Sequence, residues 1–226
     1  MLENIATVQQ NNVFTDQQIN FLIDEYNKLE KYDGLMNKGE SGVLEEEWFV
    51  SIIKKFIKIP CTLAAYNFYK IDDQGSYLPH TDYILKDGCP DININIPLYY
   101  TGNKIPHLVI FDQQYLENSV TWCLDYEIQY FKHNTGVSGR PCDYDITDKT
   151  NESCNQELYD THLKAQGSIN NFYSLSGKAY PLIPKSILMF NNTRIHCTGQ
   201  LEGERLGISI SFSSVKNEKE VSLQIT

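Results

Sequence analysis

Apolar residues recur at helical spacing between positions 15 and 34. In "TDQQINFLIDEYNKLEKYDG", Ile19, Leu22, Ile23, Tyr26 and Leu29 share one face. Thr15 is placed as the N-cap, Gln18 completes a capping box three residues on, and Gly34 marks the end. The spacing predicts one helix here and a second over "LEEEWFVSIIKKFIK". The second is acidic at its start and basic at its end, as the macrodipole favours, with Trp48, Ile52 and Phe56 on one stripe before Pro60.

After position 60 the period shortens. "TLAAYNFYK", "DININIPLYY", "HLVIFD", "SILMFNN" and "RLGISISFSS" are short, rich in β-branched and aromatic residues, and bounded by Gly, Pro, Asp or Asn. The clearest of them puts Ile92, Ile94 and Ile96 on one face and Asn93 and Asn95 on the other. Strands that follow strands predict an antiparallel sandwich or barrel, so the chain reads as α+β: a jelly-roll core with the N-terminal helices packed on one sheet. A single domain is expected, with a helical layer over 1–61, a core over 62–215 and a tail over 216–226. Within the core, a stretch of about 112–180 loses the strand pattern and is too long and polar for a plain connection. It holds ten Asp and Glu against four Lys and Arg between 112 and 164. It reads either as a solvated loop or as a lid that favours a cationic substrate.

Composition narrows the classes. A chain of 226 residues, 41% hydrophobic and 12% aromatic, can bury a sizeable core. Its formal charge of −10 argues against a surface that tracks a phosphate backbone, so nucleic acid is not the expected partner. No apolar run reaches 18 residues and the first ten residues do not resemble a secretory signal, so a cytoplasmic protein with no membrane partner is expected. Cys61, Cys89, Cys123, Cys142, Cys154 and Cys197 are scattered singly, with no C-x-x-C pair, and read as free thiols. No feature of the sequence fixes an oligomeric state.

The candidate chemistry begins in "YLPHTDYIL". In a strand, His80 and Asp82 share a face about 7 Å apart. Alone, such a pair reads better as a hydrogen-bonded structural couple. A third group changes the balance: "NNTRIHCTGQLEGERLGISISF" puts His196 near the end of one strand and Arg205 nine residues later. Two imidazoles and a carboxylate on one side of a metal form the facial triad of non-haem Fe(II), which leaves coordination positions for a bidentate 2-oxo acid and O₂. A buried arginine fork suits the far carboxylate of such an acid, and Arg205 is the candidate.

The combination resembles the Fe(II)/2-oxoglutarate-dependent oxygenases, whose signature is H-x-D, a distant His, and an Arg about ten residues beyond it. The resemblance runs from about 62 to 213. It implies a double-stranded β-helix, with His80, Asp82 and His196 as metal ligands and catalytic centre and Arg205 as the 2-oxoglutarate anchor. "NFY" at 67–69 is similar to the family's N-x-Y segment, which gives Tyr69 a hydrogen bond to the cosubstrate. The implied cofactors are Fe(II), 2-oxoglutarate as cosubstrate, and O₂. Asp82 occupies the position that iron halogenases leave small, which favours hydroxylation. Three features depart from the family. Gly207 stands where a Ser often shares the 2-oxoglutarate carboxylate, with Ser209 next along that face. "NKIPHLVIF" lacks the usual Gly-Gly turn, and the interval from His80 to His196 is long.

The implied activity is a dioxygenase hydroxylating an aliphatic carbon of a small molecule such as an amino acid. A prolyl or other protein side chain is the alternative substrate. A non-catalytic metal-binding jelly-roll module is the competing class, weakened because structural zinc sites normally use four protein ligands. Arg194 reads as a salt bridge or substrate contact and His107 as a strand-end residue. His133 and His162 are expected to be exposed. Tyr66, Tyr77, Tyr99 and Tyr100 read as packing residues, with Tyr77 the one most worth testing for a pocket role.

Overall fold

The Thr15 hydroxyl accepts the Gln18 backbone N–H at 3.2 Å and the Gln18 side chain accepts the Thr15 N–H at 2.9 Å, so the capping box forms. It starts α1, Asp16–Lys28, which buries Ile19, Leu22 and Tyr26. The computed structural model describes residues 5–29, 36–37, 42–58, 61–72, 79–81, 92–114, 120–125, 128–133, 140–141, 148, 150–213 and 224–225. Before α1 lies β1, Val8–Gln10; after it come β2, Met36–Asn37, a 3-10 turn at Gly42–Glu45, and α2, Glu47–Phe56.

The buried face of α2 is one residue out of phase with the expected stripe. Phe49 and Ile53 are fully enclosed, while Trp48, Ile52 and Phe56 pack at the edge of the same cluster. The physical reason is the neighbouring aromatics. Phe14 stacks on Phe49 with centroids 6.4 Å apart, and Trp48 turns its edge to Phe21 at 5.9 Å, so the indole closes the rim of the core.

The β core contains β3 (Cys61–Ile71), β4 (Ile92–Tyr100), β5 (His107–Gln114), β6 (Val120–Asp125), β7 (Ile128–His133), β8 (Arg140–Pro141), β9 (Gly177–Pro181), β10 (Ile187–Asn191), β11 (Arg194–Thr198), β12 (Arg205–Ser213) and β13 (Gln224–Ile225). The major sheet runs β1-β10-β4-β12-β3-β13, with β2 also on β3; a minor sheet runs β11-β5-β9. Their named pairings are antiparallel. The five strands expected from sequence are present as β3, β4, β5, β10 and β12. The α+β jelly-roll with helices on one sheet is the observed architecture.

Alternation along the major sheet assigns its two faces. Ile92, Ile94, Ile96, Leu98, Ile187, Met189, Ile208 and Ile210 join the helices in one core cluster. The opposite face looks toward the minor sheet, where Leu188 and Phe190 meet Leu108, Ile110 and Leu182. Asn93 and Asn95 lie on this inner face and are also buried, at 3% and 7% exposure. A strand buried on both sides with polar residues inside is unusual for packing alone.

The expected strand "SILMFNN" ends at Asn191, and a separate strand carries His196: the Asn191 side chain accepts from the Thr193 backbone N–H at 2.9 Å and hydroxyl at 2.7 Å. This Asx turn carries the chain from β10 in the major sheet to β11 in the minor one. The stretch read as a loop or lid also has structure. Strands β6, β7 and β8 form a separate three-stranded sheet. Downstream, α3 (Gln156–Leu158), a π turn at Tyr159–Leu163 and 3-10 turns follow. Cys154, Leu163, Phe172 and Leu175 of this later part pack against Val109, Phe111, Ile195 and Cys197, the outer face of the minor sheet. Residues 150–176 thus cover the back of that sheet, on the side away from Ile110 and His196.

Among the described residues no helix is long and apolar enough to cross a membrane. Cys61, Cys154 and Cys197 are free and buried, and burial pushes the thiols of Cys61 and Cys154 up to about 11.

Candidate metal and cosubstrate site

His80 and His196 come together through their backbones. His80 N–H donates to the His196 carbonyl at 2.9 Å and His196 N–H to the His80 carbonyl at 2.8 Å, an antiparallel bridge. Directly paired residues carry their side chains to one side of the sheet, and the two rings lie with centroids 4.4 Å apart at 51°. His196 is 5% exposed. Its Nδ1 lies 3.0 Å from the Arg194 carbonyl. A carbonyl only accepts, so this contact puts a proton on Nδ1; a neutral imidazole anchored in this way presents Nε2 as its metal-binding nitrogen. Phe190 closes the opposite wall, its ring edge-on to His196 with centroids 4.9 Å apart at 65°.

The register of β11 helps aim His196. Arg194 pairs with Gln114 but His196 pairs with Ile110, so a bulge in β5 sets three residues opposite Ile195 and shifts the register just before the histidine. Arg194 itself reaches Asp112, Nη1 to Oδ1 at 3.6 Å, one of the two roles expected for it. Among the described residues no group of three His, Cys, Asp or Glu side chains gathers around a metal position. Asp82 and Tyr77 lie outside the described residues.

Arg205 starts β12 and turns inward, 4% exposed. Its Nη2 donates to Thr198 Oγ1 at 2.9 Å. Thr198 is two residues past His196 on the same minor strand, so this bond ties the arginine of one sheet to the histidine strand of the other. The guanidinium carbon lies 5.5 Å from the centre of the Tyr69 ring. Tyr69, 7% exposed, donates its hydroxyl to Asn95 Oδ1 at 2.7 Å. Burial raises the phenol pKa, with the Arg205 charge and the Asn95 bond opposing, so the hydroxyl keeps its proton at neutral pH.

Gly207 makes room for this ring. A Cβ built there would fall 2.3 Å from Tyr69 Oη and 2.5 Å from Cζ, so no side chain fits while Tyr69 holds its place. The register with β4 also slips at this point, Leu206 facing Tyr99 but Gly207 facing Pro97. Ser209 is occupied across the sheet, its hydroxyl 3.2 Å from Asn93 Nδ2 and 3.4 Å from Asn93 Oδ1.

Four sequence-selected groups, His80, His196, Arg205 and Tyr69, therefore line the space between the sheets. Thr198, Phe190 and Asn95 had not been selected. For Asn95 the only sequence signal was a polar residue in an apolar strand. The donor set suits a borderline metal and a dicarboxylate: two imidazoles at one end, and a buried cation with an amide and phenol at the other.

His107 and His162 form a second imidazole pair. His107 begins β5 as expected, and its Nδ1 lies 2.8 Å from the Ile105 carbonyl. His162 is half-buried rather than exposed, because the π turn presses it onto the minor sheet with ring centroids 4.4 Å apart at 48°. The side chain of His133, at the end of β7, is outside the described residues. Tyr66 packs edge-on to Phe68, and Tyr99 donates to Glu204 Oε1 at 3.1 Å.

No family model matches the chain, and no curated protein matches it in sequence. Its fold is shared with solved structures. HygX from Streptomyces hygroscopicus, crystallised with nickel, 2-oxoglutarate and hygromycin B, aligns over 93% of this chain and 83% of its own with a TM-score of 0.51 at 11% identity. The epimerase SnoN, in complex with Fe3+, alpha-ketoglutarate and nogalamycin RO, aligns over 92% and 78% with a TM-score of 0.51 at 9% identity. At these identities the likeness is one of fold. It is the jelly-roll implied by the resemblance to the Fe(II)/2-oxoglutarate-dependent oxygenases.

Proposed function

We propose that this chain is an Fe(II)- and 2-oxoglutarate-dependent dioxygenase that hydroxylates an aliphatic carbon of a small molecule. The observation that carries the reading is the backbone-locked His80–His196 pair, which shares the interior between the sheets with a buried arginine. His80 and His196 would supply two metal ligands, and Asp82, two residues from His80, the third. Arg205 would grip the distal carboxylate of 2-oxoglutarate. When bound, ferrous ion with 2-oxoglutarate and O₂ supplies an oxidant strong enough for an unactivated C–H bond, with release of succinate and CO₂. The chain's own contribution is position and exclusion of water. Phe190, Leu188 and Ile110 wall the interior, and the His196 ring is held at Nδ1 so that Nε2 faces its ligand.

A small substrate is favoured because HygX and SnoN, on the same fold, are seen with hygromycin B and nogalamycin RO. The cationic preference once read from the acidic stretch loses part of its basis, since residues 150–176 lie behind the minor sheet. SnoN is an epimerase, so product analysis must accompany turnover. The test is a metabolite screen for 2-oxoglutarate-dependent succinate release with mass analysis of products. A hit gaining one oxygen, with release abolished in His80→Ala, supports the reading. A product isomeric with its substrate would reassign the reaction, and succinate release unchanged in His80→Ala would defeat the proposal.

A further inference from the structure

The inner face of the major sheet holds a linked set that the ligand assignment above leaves unused. Tyr69 has one hydroxyl proton, and that proton lies on Asn95 Oδ1 at 2.7 Å. It cannot also be donated to a carboxylate. Accepting at Oδ1 fixes the orientation of the Asn95 amide and turns Nδ2, with its two N–H donors, the other way. Among the described residues Nδ2 makes no hydrogen bond of its own. The hydroxyl that related enzymes place two residues after the arginine is replaced by Gly207, whose bare backbone seats the Tyr69 ring. Ser209, the other candidate on that face, is engaged with Asn93. The same Tyr69 ring has the Arg205 guanidinium 5.5 Å from its centre, so one side chain touches both the cation and the amide.

From this arrangement we infer that Asn95 is the second donor to the distal carboxylate of 2-oxoglutarate, beside Arg205, and that Tyr69 is a positioning residue that sets the amide rather than a direct ligand. The inference rests on the oxygenase reading. A guanidinium and an amide together offer the planar and lateral donors that a carboxylate's two oxygens accept. An amide held by a buried phenol is fixed before the cosubstrate arrives, which lowers the entropy lost on binding.

The test is calorimetry of the full chain loaded with Mn(II), which binds without turnover. The titrants are 2-oxoglutarate and 2-oxopentanoate, which share the 2-oxo acid end but differ in the distal carboxylate. Asn95→Ala is expected to weaken 2-oxoglutarate about 10- to 100-fold, as befits a lost hydrogen bond to a charge, and to leave 2-oxopentanoate unchanged. Tyr69→Phe should weaken 2-oxoglutarate less, with the same selectivity. Should Asn95→Ala not fold, Asn95→Asp keeps the shape and should lose 2-oxoglutarate alone, by charge repulsion. Wild-type affinity for 2-oxoglutarate in the Asn95 variant, or equal loss of both acids, overturns the inference and leaves the oxygenase reading standing. A wild-type protein that binds neither acid overturns that reading, and this one with it.

Discussion

At the scale of single residues, the site is a set of positions where one atom decides. Gly207 is the clearest, because a β-carbon there would lie 2.3 Å from Tyr69 Oη and 2.5 Å from Cζ. Gly207→Ala should therefore destabilise the fold by about 1–3 kcal/mol, the usual scale of overpacking. Tyr69→Leu removes the atoms in conflict. In chemical denaturation the double variant should lose less than the sum of the two, with a coupling of about 0.5–3 kcal/mol; simple additivity would mean that the ring is not seated on the glycine. His80, His196 and Arg205 could be picked out from sequence because their side chains have few other reasons to sit inside an apolar barrel. Asn95 could not. Alternation in "DININIP" reveals which residues share a face but not what that face meets, and the partner that gives Asn95 its meaning is 26 positions away.

At the scale of elements, local patterns were read well and their phase and connections less so. The strand segments stood out because β-branched and aromatic residues cluster between turn formers. The Asn pair that bounds "SILMFNN" marked the end of β10, but nothing in it showed that the Asx turn there sends the chain to the other sheet. The structure of 150–176 was hidden for a different reason. Its apolar residues are sparse and irregular, and they form a core only when laid against the back of β5 and β11. The His107–His162 contact joins this segment to the sheet. Burial holds both imidazoles below the ordinary histidine value of 6.5, and for His162 the neighbouring His107 adds to the effect. With a depressed pKa in the folded state, protons bind the unfolded chain first. Stability is therefore fully present above pH 6.5 and declines as the pH drops below it. Hydrogen exchange in 150–176 should accelerate relative to the major sheet when the pH is lowered from about 7.5 to about 5.5, after correction for intrinsic rates. His162→Gln should remove most of that difference; an unchanged pH response in the variant would assign it to other groups.

At the scale of the whole molecule, two sheets face each other across an interior that mixes apolar walls with buried polar groups. The helices cover one outer face and residues 150–176 the other. This layering explains how a fold can be shared with HygX and SnoN at 11% and 9% identity: the two core faces need only hydrophobic residues of suitable size at alternating positions. Between the sheets, Arg205 bonds across to Thr198 and His80 pairs with His196. Ferrous ion added anaerobically with 2-oxoglutarate measures this region as a unit. A weak visible charge-transfer band should appear with the wild-type chain and be absent from His80→Ala and His196→Ala. A wild-type chain that shows no band, or a band that survives in both histidine variants, would contradict the assignment of this interior to iron and 2-oxoglutarate.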